Sequence, residues 1–283
     1  MFEIASADFI APDVKRFRII APAVAKKHQA GQFVILRVHD LGERIPITIA
    51  ESDPDSGEIT IIVQGIGRTT KDLNRKTSGD QIPDLVGPLG QPTHIENWGK
   101  AVIVSGGVGT AEALPIARAM KAAGNEVISI IGARTKSLVI AEELMKDLCD
   151  EVIVTTDDGS YGIKGLVIEP LRPMLESSSP PRLILAVGPL PMMKAVAELT
   201  RPYNIKTMVS LNTIMIDGTG MCGGCRATVD GKTVFVCVDG PEFDGHKVDF
   251  GELQQRIGQF KNQERQSLDQ FLRSCRAEKS VEG

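Results

Sequence analysis

The sequence predicts an antiparallel β-barrel, then a doubly wound parallel-sheet α/β domain, then a small cysteine-bearing module that ends in a helix. Three observations carry this prediction. Short β-rich runs punctuated by Gly, Pro and Asp fill the first third; strand and helix patterns alternate from residue 100; and a glycine- and cysteine-rich stretch follows residue 210. The limits read as residues 1–98, 99–210 and 211–250, with the terminal helix over 251–283.

The length of 283 residues suits two compact domains and an appendage. With 42% hydrophobic and 24% charged residues the composition is that of a globular chain and excludes disorder. A net charge of -4 gives no electrostatic case for nucleic acid or an anionic membrane surface, so neither is expected as a partner. The start, MFEIASADFIAPDVKRF, lacks a signal-type apolar core, and no stretch approaches the roughly 20 apolar residues of a membrane span. A cytoplasmic location is therefore expected. The cysteines number five, three of them between Cys222 and Cys237, which points to metal or redox chemistry rather than a disulfide scaffold. Cys149 and Cys275 read as ordinary thiols.

In the barrel region the runs FRIIAP, GQFVILRV, RIPITIAE, GEITIIVQG and GDQIPDLVGPLG read as strands. The third begins Arg44-Ile45-Pro46-Ile47-Thr48, which offers a cation for a pyrophosphate, a fixed proline, an apolar contact and a hydroxyl, a set that suits a flavin. Alone, the pentapeptide also reads as an edge strand with a surface arginine. From Val63 to Thr70 the chain adds a turn with Gly65 and Gly67, flanked by the hydroxyls of Thr69 and Thr70, that can meet phosphate oxygens. Gly87-Pro88-Leu89-Gly90 closes the barrel or is simply a tight turn.

The second domain opens with a strand running into a helix through Gly106, Gly107, Gly109 and Thr110. Such a turn admits phosphate to a helix N-terminus. Glu112 stands where a third glycine is expected. Later strands end at Ala133 and Arg134, at Asp157 and Asp158, and at Gly188 and Pro189 ahead of Met192 and Met193. Ligands of open α/β sheets bind beyond the carboxyl ends of strands, where all these groups fall. The methionine pair also reads as core filler. Arg134 and Lys136 suit a 2′-phosphate or plain solvation, which leaves NAD and NADP both open.

The sharpest local pattern is Asp217-x4-Cys222-x2-Cys225 followed by Cys237. Plant-type [2Fe-2S] sites use C-x4-C-x2-C and a distant cysteine, so the spacing is intact with aspartate in the first position. A carboxylate keeps the charge of the thiolate it replaces. A Cys3Asp zinc site, Asp217 as a turn residue, and His246 as a competing ligand remain open readings.

In this order the motifs resemble those of the electron-transfer subunits of the ferredoxin–NADP reductase superfamily, including that of class 1B dihydroorotate dehydrogenase, over almost the whole chain. RIPIT looks like the flavin motif, SGGVGTA and AVGPLPMM like the nucleotide motifs, and the cysteine group like the cluster module. The resemblance implies an oxidoreductase subunit with FAD on the barrel, NAD(H) on the second domain and one [2Fe-2S] cluster on Asp217, Cys222, Cys225 and Cys237. It assigns the flavin to Arg44, Ile47, Thr48, Gly67, Thr69 and Thr70, and sets hydride exchange beside Thr48, the one catalytic candidate. Aspartate in the cluster, with GERIPITIA, TTDDGSYG and GHKVDF, is similar to a bifurcating subgroup, whereas the dihydroorotate relatives carry four cysteines. That likeness implies a heterodimer with a larger glutamate-synthase-like flavoprotein and iron–sulfur subunit, which links NADH to ferredoxin and NADPH. A dihydroorotate, sulfide or glutamate synthase partner, a stand-alone reductase, and a zinc-stabilised regulator are the alternatives. The C-terminal helix reads as a docking element or as domain packing.

Overall fold

The computed structural model describes residues 1–281, and side chains through residue 277. Its first unit is a nearly closed antiparallel barrel of β1 (Phe2–Ala11), β2 (Val14–Ile20), β3 (Phe33–Arg37), β4 (Arg44–Asp53), β5 (Glu58–Gln64), β6 (Gln81–Ile82) and β7 (Asp84–Leu89), ordered β6-β1-β2-β5-β4-β3-β7. Two short helices, α1 (Pro22–Ala25) and α2 (Arg68–Leu73), join these strands. In β5 the period-2 alternation sends Ile59, Ile61 and Val63 into the barrel core. β1 is absent from the runs that the sequence pattern picks out. Along its length only Ile4 is fully buried, so its alternation is too faint to read.

The second unit is a parallel sheet of β8 (Lys100–Gly106), β9 (Glu126–Ala133), β10 (Glu151–Thr156), β11 (Ile163–Lys164), β12 (Leu183–Val187) and β13 (Lys206–Ser210), in the order β11-β10-β9-β8-β12-β13. β12 reads LILAV and is buried throughout, as a strand covered on both faces must be. Helices α3 (Gly109–Ala122) and α4 (Glu142–Leu148) cover one face, where Leu114 and Met145 meet Ile103 and Leu185. The other face is covered by α5 (Ile168–Leu175) and α6 (Leu190–Thr200), with Leu171 and Met193 against Val104 and Ala186. Strand order reverses between β8 and β12, which opens a crevice at their carboxyl ends.

A hairpin of β14 (Arg226–Val229) and β15 (Lys232–Phe235), a turn of helix α7 (Val236–Asp239) and the strand β16 (Glu242–Asp244) make up the third segment. β16 pairs antiparallel with β13, so the cysteine-bearing segment is stitched to the edge of the parallel sheet. β3 ties the barrel into the same body. Val34 and Leu36 point into the barrel core, while Phe33 and Ile35 pack with Val209, Cys225 and Cys237.

The terminal helix expected over 251–283 is instead two helices, α8 (Phe250–Gly258) and α9 (Lys261–Val281), and residues 282 and 283 lie outside the described residues. Asp249 caps the first by accepting from Glu252 N at 2.9 Å, and Gly258, a poor helix former, ends it. α8 buries Phe250 and Leu253 on the cysteine-bearing segment. α9 lies along α2, where Arg68 Nη1 donates to Ser267 Oγ at 3.4 Å and the Arg75 guanidinium stands 5.9 Å from the Phe271 ring centre. Domain packing thus accounts for one side of α9, and most of the rest is exposed. Among the described residues no helix is long and apolar enough to cross a membrane.

Candidate functional site

The barrel and the parallel sheet enclose a cavity of about 970 Å³. That is the upper end of the size range of small-molecule sites. β4 contributes Pro46, Ile47 and Thr48 to it; the β8 turn contributes Gly106, Gly107 and Gly109; the ends of β9, β10 and β12 contribute Ala133, Arg134, Asp157, Gly188 and Pro189. The crevice at the strand reversal therefore opens onto the flavin-like strand of the barrel. Met192 lines the wall while Met193 is fully buried in the core, so the two readings of the methionine pair divide between its members.

Close approach explains two of the glycines. A Cβ on Gly106 would stand 2.7 Å from Met192 Sδ, and one on Gly109 would stand 2.5 Å from the Val187 carbonyl oxygen of β12. Gly107 meets nothing within 4 Å but has a φ of +56°, the left-handed region. Thr110 is buried and shares a 3.1 Å hydrogen bond with Ser105. It supports the turn from behind.

Other expected residues lie off the cavity wall. Arg44 pairs with Asp84 at 3.3 Å, and its buried Nε has no hydrogen-bond partner. Val63 is barrel core, and Gly65 N donates to Asp13 O at 2.7 Å. Gly67 caps α2; the Thr70 hydroxyl accepts from Gly67 N at 3.0 Å, and Thr69 Oγ1 donates to Glu43 at 2.6 Å. Asp158 accepts from Ser160 N and Oγ at 2.9 and 2.6 Å, bonds that hold its carboxyl below the usual range and shape the turn.

Sequence reasoning missed part of the wall. Asn212, Thr213 and Ile214 line it from the segment after β13, and Ile257 and Glu264 reach it from α8 and α9. Thr213 Oγ1 is buried at that wall without a hydrogen-bond partner, an orphan that a bound polar group would satisfy. Thr48 Oγ1 donates across the domain boundary to the Glu112 carboxylate in a short hydrogen bond.

The segment of Thr213 runs directly into the loop that carries Asp217 and the cysteines. A Cβ on Gly218 would stand 2.6 Å from Leu89 and 2.7 Å from Ile35, so the loop lies flat on β7 and β3 of the barrel. The four candidate ligands form two pairs. Cys225 and Cys237 are buried with sulfurs 3.2 Å apart; Cys222 is exposed, and its N–H donates to Asp217 at 2.7 Å. Among the described residues no group of three or more His, Cys, Asp or Glu converges on one point, as a single ion would demand. His246 is committed to Thr200 at 2.9 Å.

The donor set fits a two-iron cluster. Backbone N–H groups of Gly224 and Cys237 point at the sulfurs of Cys222 and Cys225, at 3.4 and 3.5 Å. Burial and the adjacent Cys225 sulfur push the Cys237 thiol up, a cost that bound iron would offset. Asp217 accepts from Thr219 N at 2.9 Å as well as from Cys222 N, bonds that keep its carboxyl below the usual range. Each oxygen keeps a second lone pair for a metal, so the turn role and the ligand role are compatible.

Comparison with known proteins gives a consistent set of likenesses. Residues 212–249 match the family model of the iron-sulfur cluster binding domain of dihydroorotate dehydrogenase B. The electron transfer subunit homolog of dihydroorotate dehydrogenase B (NAD(+)) from Thermotoga maritima is 46% identical over 273 residues, covering 96% of each chain. The corresponding electron transfer subunit from Streptococcus thermophilus is 35% identical over 84% of this chain and 94% of its own. Among solved structures, the NADH-dependent reduced ferredoxin-NADP oxidoreductase, studied for flavin-based electron bifurcation, superimposes with a TM-score of 0.91 at 45% identity over 96% of this chain and 98% of its own. Phthalate dioxygenase reductase shares the fold, with a TM-score of 0.62 at 18% identity over 84% and 93%.

Proposed function

Because the chain belongs to the family of dihydroorotate dehydrogenase B electron-transfer subunits, we propose that it carries electrons between NAD(H), FAD and a [2Fe-2S] cluster on behalf of a larger subunit. The observation that carries this reading is the continuity of one cavity from the RIPIT strand, through the glycine turn, to the Thr213 segment that leads into the cysteine loop. A bound flavin would supply two-electron chemistry toward a nicotinamide and one-electron chemistry toward a cluster.

The chain's own residues bind, orient and exclude water. Pro46 and Ile47 form the apolar wall on the barrel side, and Thr48 turns its hydroxyl toward the domain junction. Arg44, Gly67, Thr69 and Thr70, with Val63 and Gly65 behind them, are assigned to the flavin diphosphate; the unpartnered Arg44 Nε supports that role. Gly106, Gly107 and Gly109 would admit a nucleotide diphosphate at the start of α3; Ala133, Arg134, Asp157, Gly188, Pro189 and Met192 line the same cavity, and Thr110 and Asp158 hold their turns. Asp217, Cys222, Cys225 and Cys237 are the cluster ligands. On this reading 1–98 is the FAD unit, 99–210 the nucleotide unit and 211–250 the cluster unit, followed by helical 251–283. No side chain acts as a nucleophile.

The partner is a larger flavoprotein with iron–sulfur centres, resembling glutamate synthase and exchanging electrons with ferredoxin and NADPH. Likeness to the bifurcating oxidoreductase at 45% identity and aspartate in the first ligand position support that choice over a dihydroorotate-oxidising partner. The cytoplasm, where these thiols stay reduced, is the compartment that suits it. Anaerobic titration of the purified chain with NADH tests the reading. Bleaching of a flavin band followed by a cluster band supports it, and a chain whose spectrum NADH leaves unchanged overturns it.

A further inference from the structure

The place of the third glycine in the turn after β8 is taken by Glu112, which lines the cavity beside Thr48. Thr48 belongs to the barrel and Glu112 to α3, so their hydrogen bond crosses the junction of the two domains. A hydroxyl has one proton and two acceptor lone pairs. While Glu112 is ionised it takes the Thr48 proton, and Thr48 offers the cavity only acceptor capacity. Once Glu112 carries a proton it can donate to Thr48, whose own proton is then free to point into the cavity. We propose that Glu112 is a positioning residue that reverses, by gaining or losing one proton, the hydrogen-bond polarity Thr48 presents to a bound flavin ring. The inference rests on the flavin reading of the cavity and deepens it.

Both protonation states are accessible near neutrality. Glu112 keeps a little exposure at the wall, but the two domains enclose it, and that burial raises its carboxyl from the ordinary 4.5 to about 7; the Thr48 bond opposes the rise. Several charged groups on the packed elements are paired with one another. On β4 and α3, Arg44 pairs with Asp84, and Glu51 with Arg118 at 3.3 Å. Lys100 of β8 pairs with Glu126 of β9, and in α4 Lys146 holds Glu142 and Glu143. Arg134, Asp157 and Glu264 line the same cavity. Glu242 of β16, which accepts from Thr93, is itself raised to about 7 by burial and in part by the charge of Glu112.

The test uses the full chain loaded with oxidised FAD, without NADH, so that the readout is the oxidised-flavin spectrum rather than turnover. In the wild type that spectrum should shift as pH passes through neutrality. Glu112→Gln keeps the shape and a hydrogen bond but no titratable proton, and it should retain flavin while losing that titration. Persistence of the titration in Glu112→Gln, or a wild-type spectrum flat across neutrality with flavin bound, overturns the proposal. Should Glu112→Gln misfold, Thr48→Ser and Thr48→Val carry the test: serine should keep the titration and valine abolish it, and retention in valine overturns it. A folded chain unable to take up added FAD would overturn the flavin reading beneath it, a result distinct from the others.

Discussion

Replacing Gly109 by alanine tests the packing that brings the glycine turn after β8 onto the central strand. The added Cβ would stand 2.5 Å from Val187 O, 2.9 Å from Val187 C and 3.1 Å from Gly188 Cα. Such contacts relax to about 3.5 Å, so the turn and β12 must separate by up to about 1 Å. No rotamer relieves this, because all three atoms are backbone. Overpacking of this kind costs about 1–3 kcal/mol, and a backbone clash on a central strand lies at the top of that range. Alanine recovers up to about 1 kcal/mol of helix propensity at the first position of α3. The net loss of about 2 kcal/mol corresponds to a fall in Tm of about 4–8 °C for a chain of this size. Gly107→Ala is the contrast: nothing lies within 4 Å, but its φ of +56° costs about 1–2 kcal/mol and the methyl enters the cavity. Thermal melts of both variants, with NADH titrations of the folded proteins, separate the causes. A Gly109→Ala variant that melts within about 1 °C of the wild type would refute this packing, for then the turn is not held against β12 in solution.

Three further outcomes follow from the same geometry. Between 4.5 and about 7 native Glu112 holds a proton that the unfolded chain has released, so wild-type stability falls as pH rises through that window. Glu112→Gln should gain up to about 3 kcal/mol relative to the wild type above neutrality and nothing near pH 4; a pH-independent difference in melting contradicts this. Asp217→Cys should keep the cluster and raise its midpoint potential, since a hard oxygen ligand favours ferric iron; a redox titration with no shift or a downward one counts against the ligand role. Ile35→Ala opens a cavity beneath the cysteine loop, costs about 2–5 kcal/mol, and should lower iron occupancy as well as Tm; undiminished iron would mean the loop does not depend on β3.

Legibility in the sequence followed the strength of local pattern. The barrel strands β2 to β5 are dense in β-branched residues and the parallel strands are continuous apolar runs, so both could be read without tertiary knowledge. β1 could not, because its outward residues are mixed, and β16 is only three residues long and exists through pairing with β13. At the site, glycine turns at strand ends announced the crevice, since the topology fixes where such turns lie. The Thr213 wall left no mark in sequence, coming from a connecting segment with no glycine or charge pattern. Glu112 was visible only as a departure from a glycine motif. Its meaning depends on Thr48, 64 residues away, which only the packing of α3 on β4 brings near. The break between α8 and α9 lay at a glycine that the amphipathic pattern overrode.

The most direct measurement is the content of iron, acid-labile sulfide, zinc and flavin in anaerobically purified protein, paired with the electron paramagnetic resonance spectrum after reduction by NADH. The account predicts about two irons, two sulfides and one FAD per chain, with a reduced [2Fe-2S] signal. Zinc in place of iron, with neither flavin nor sulfide, would contradict it.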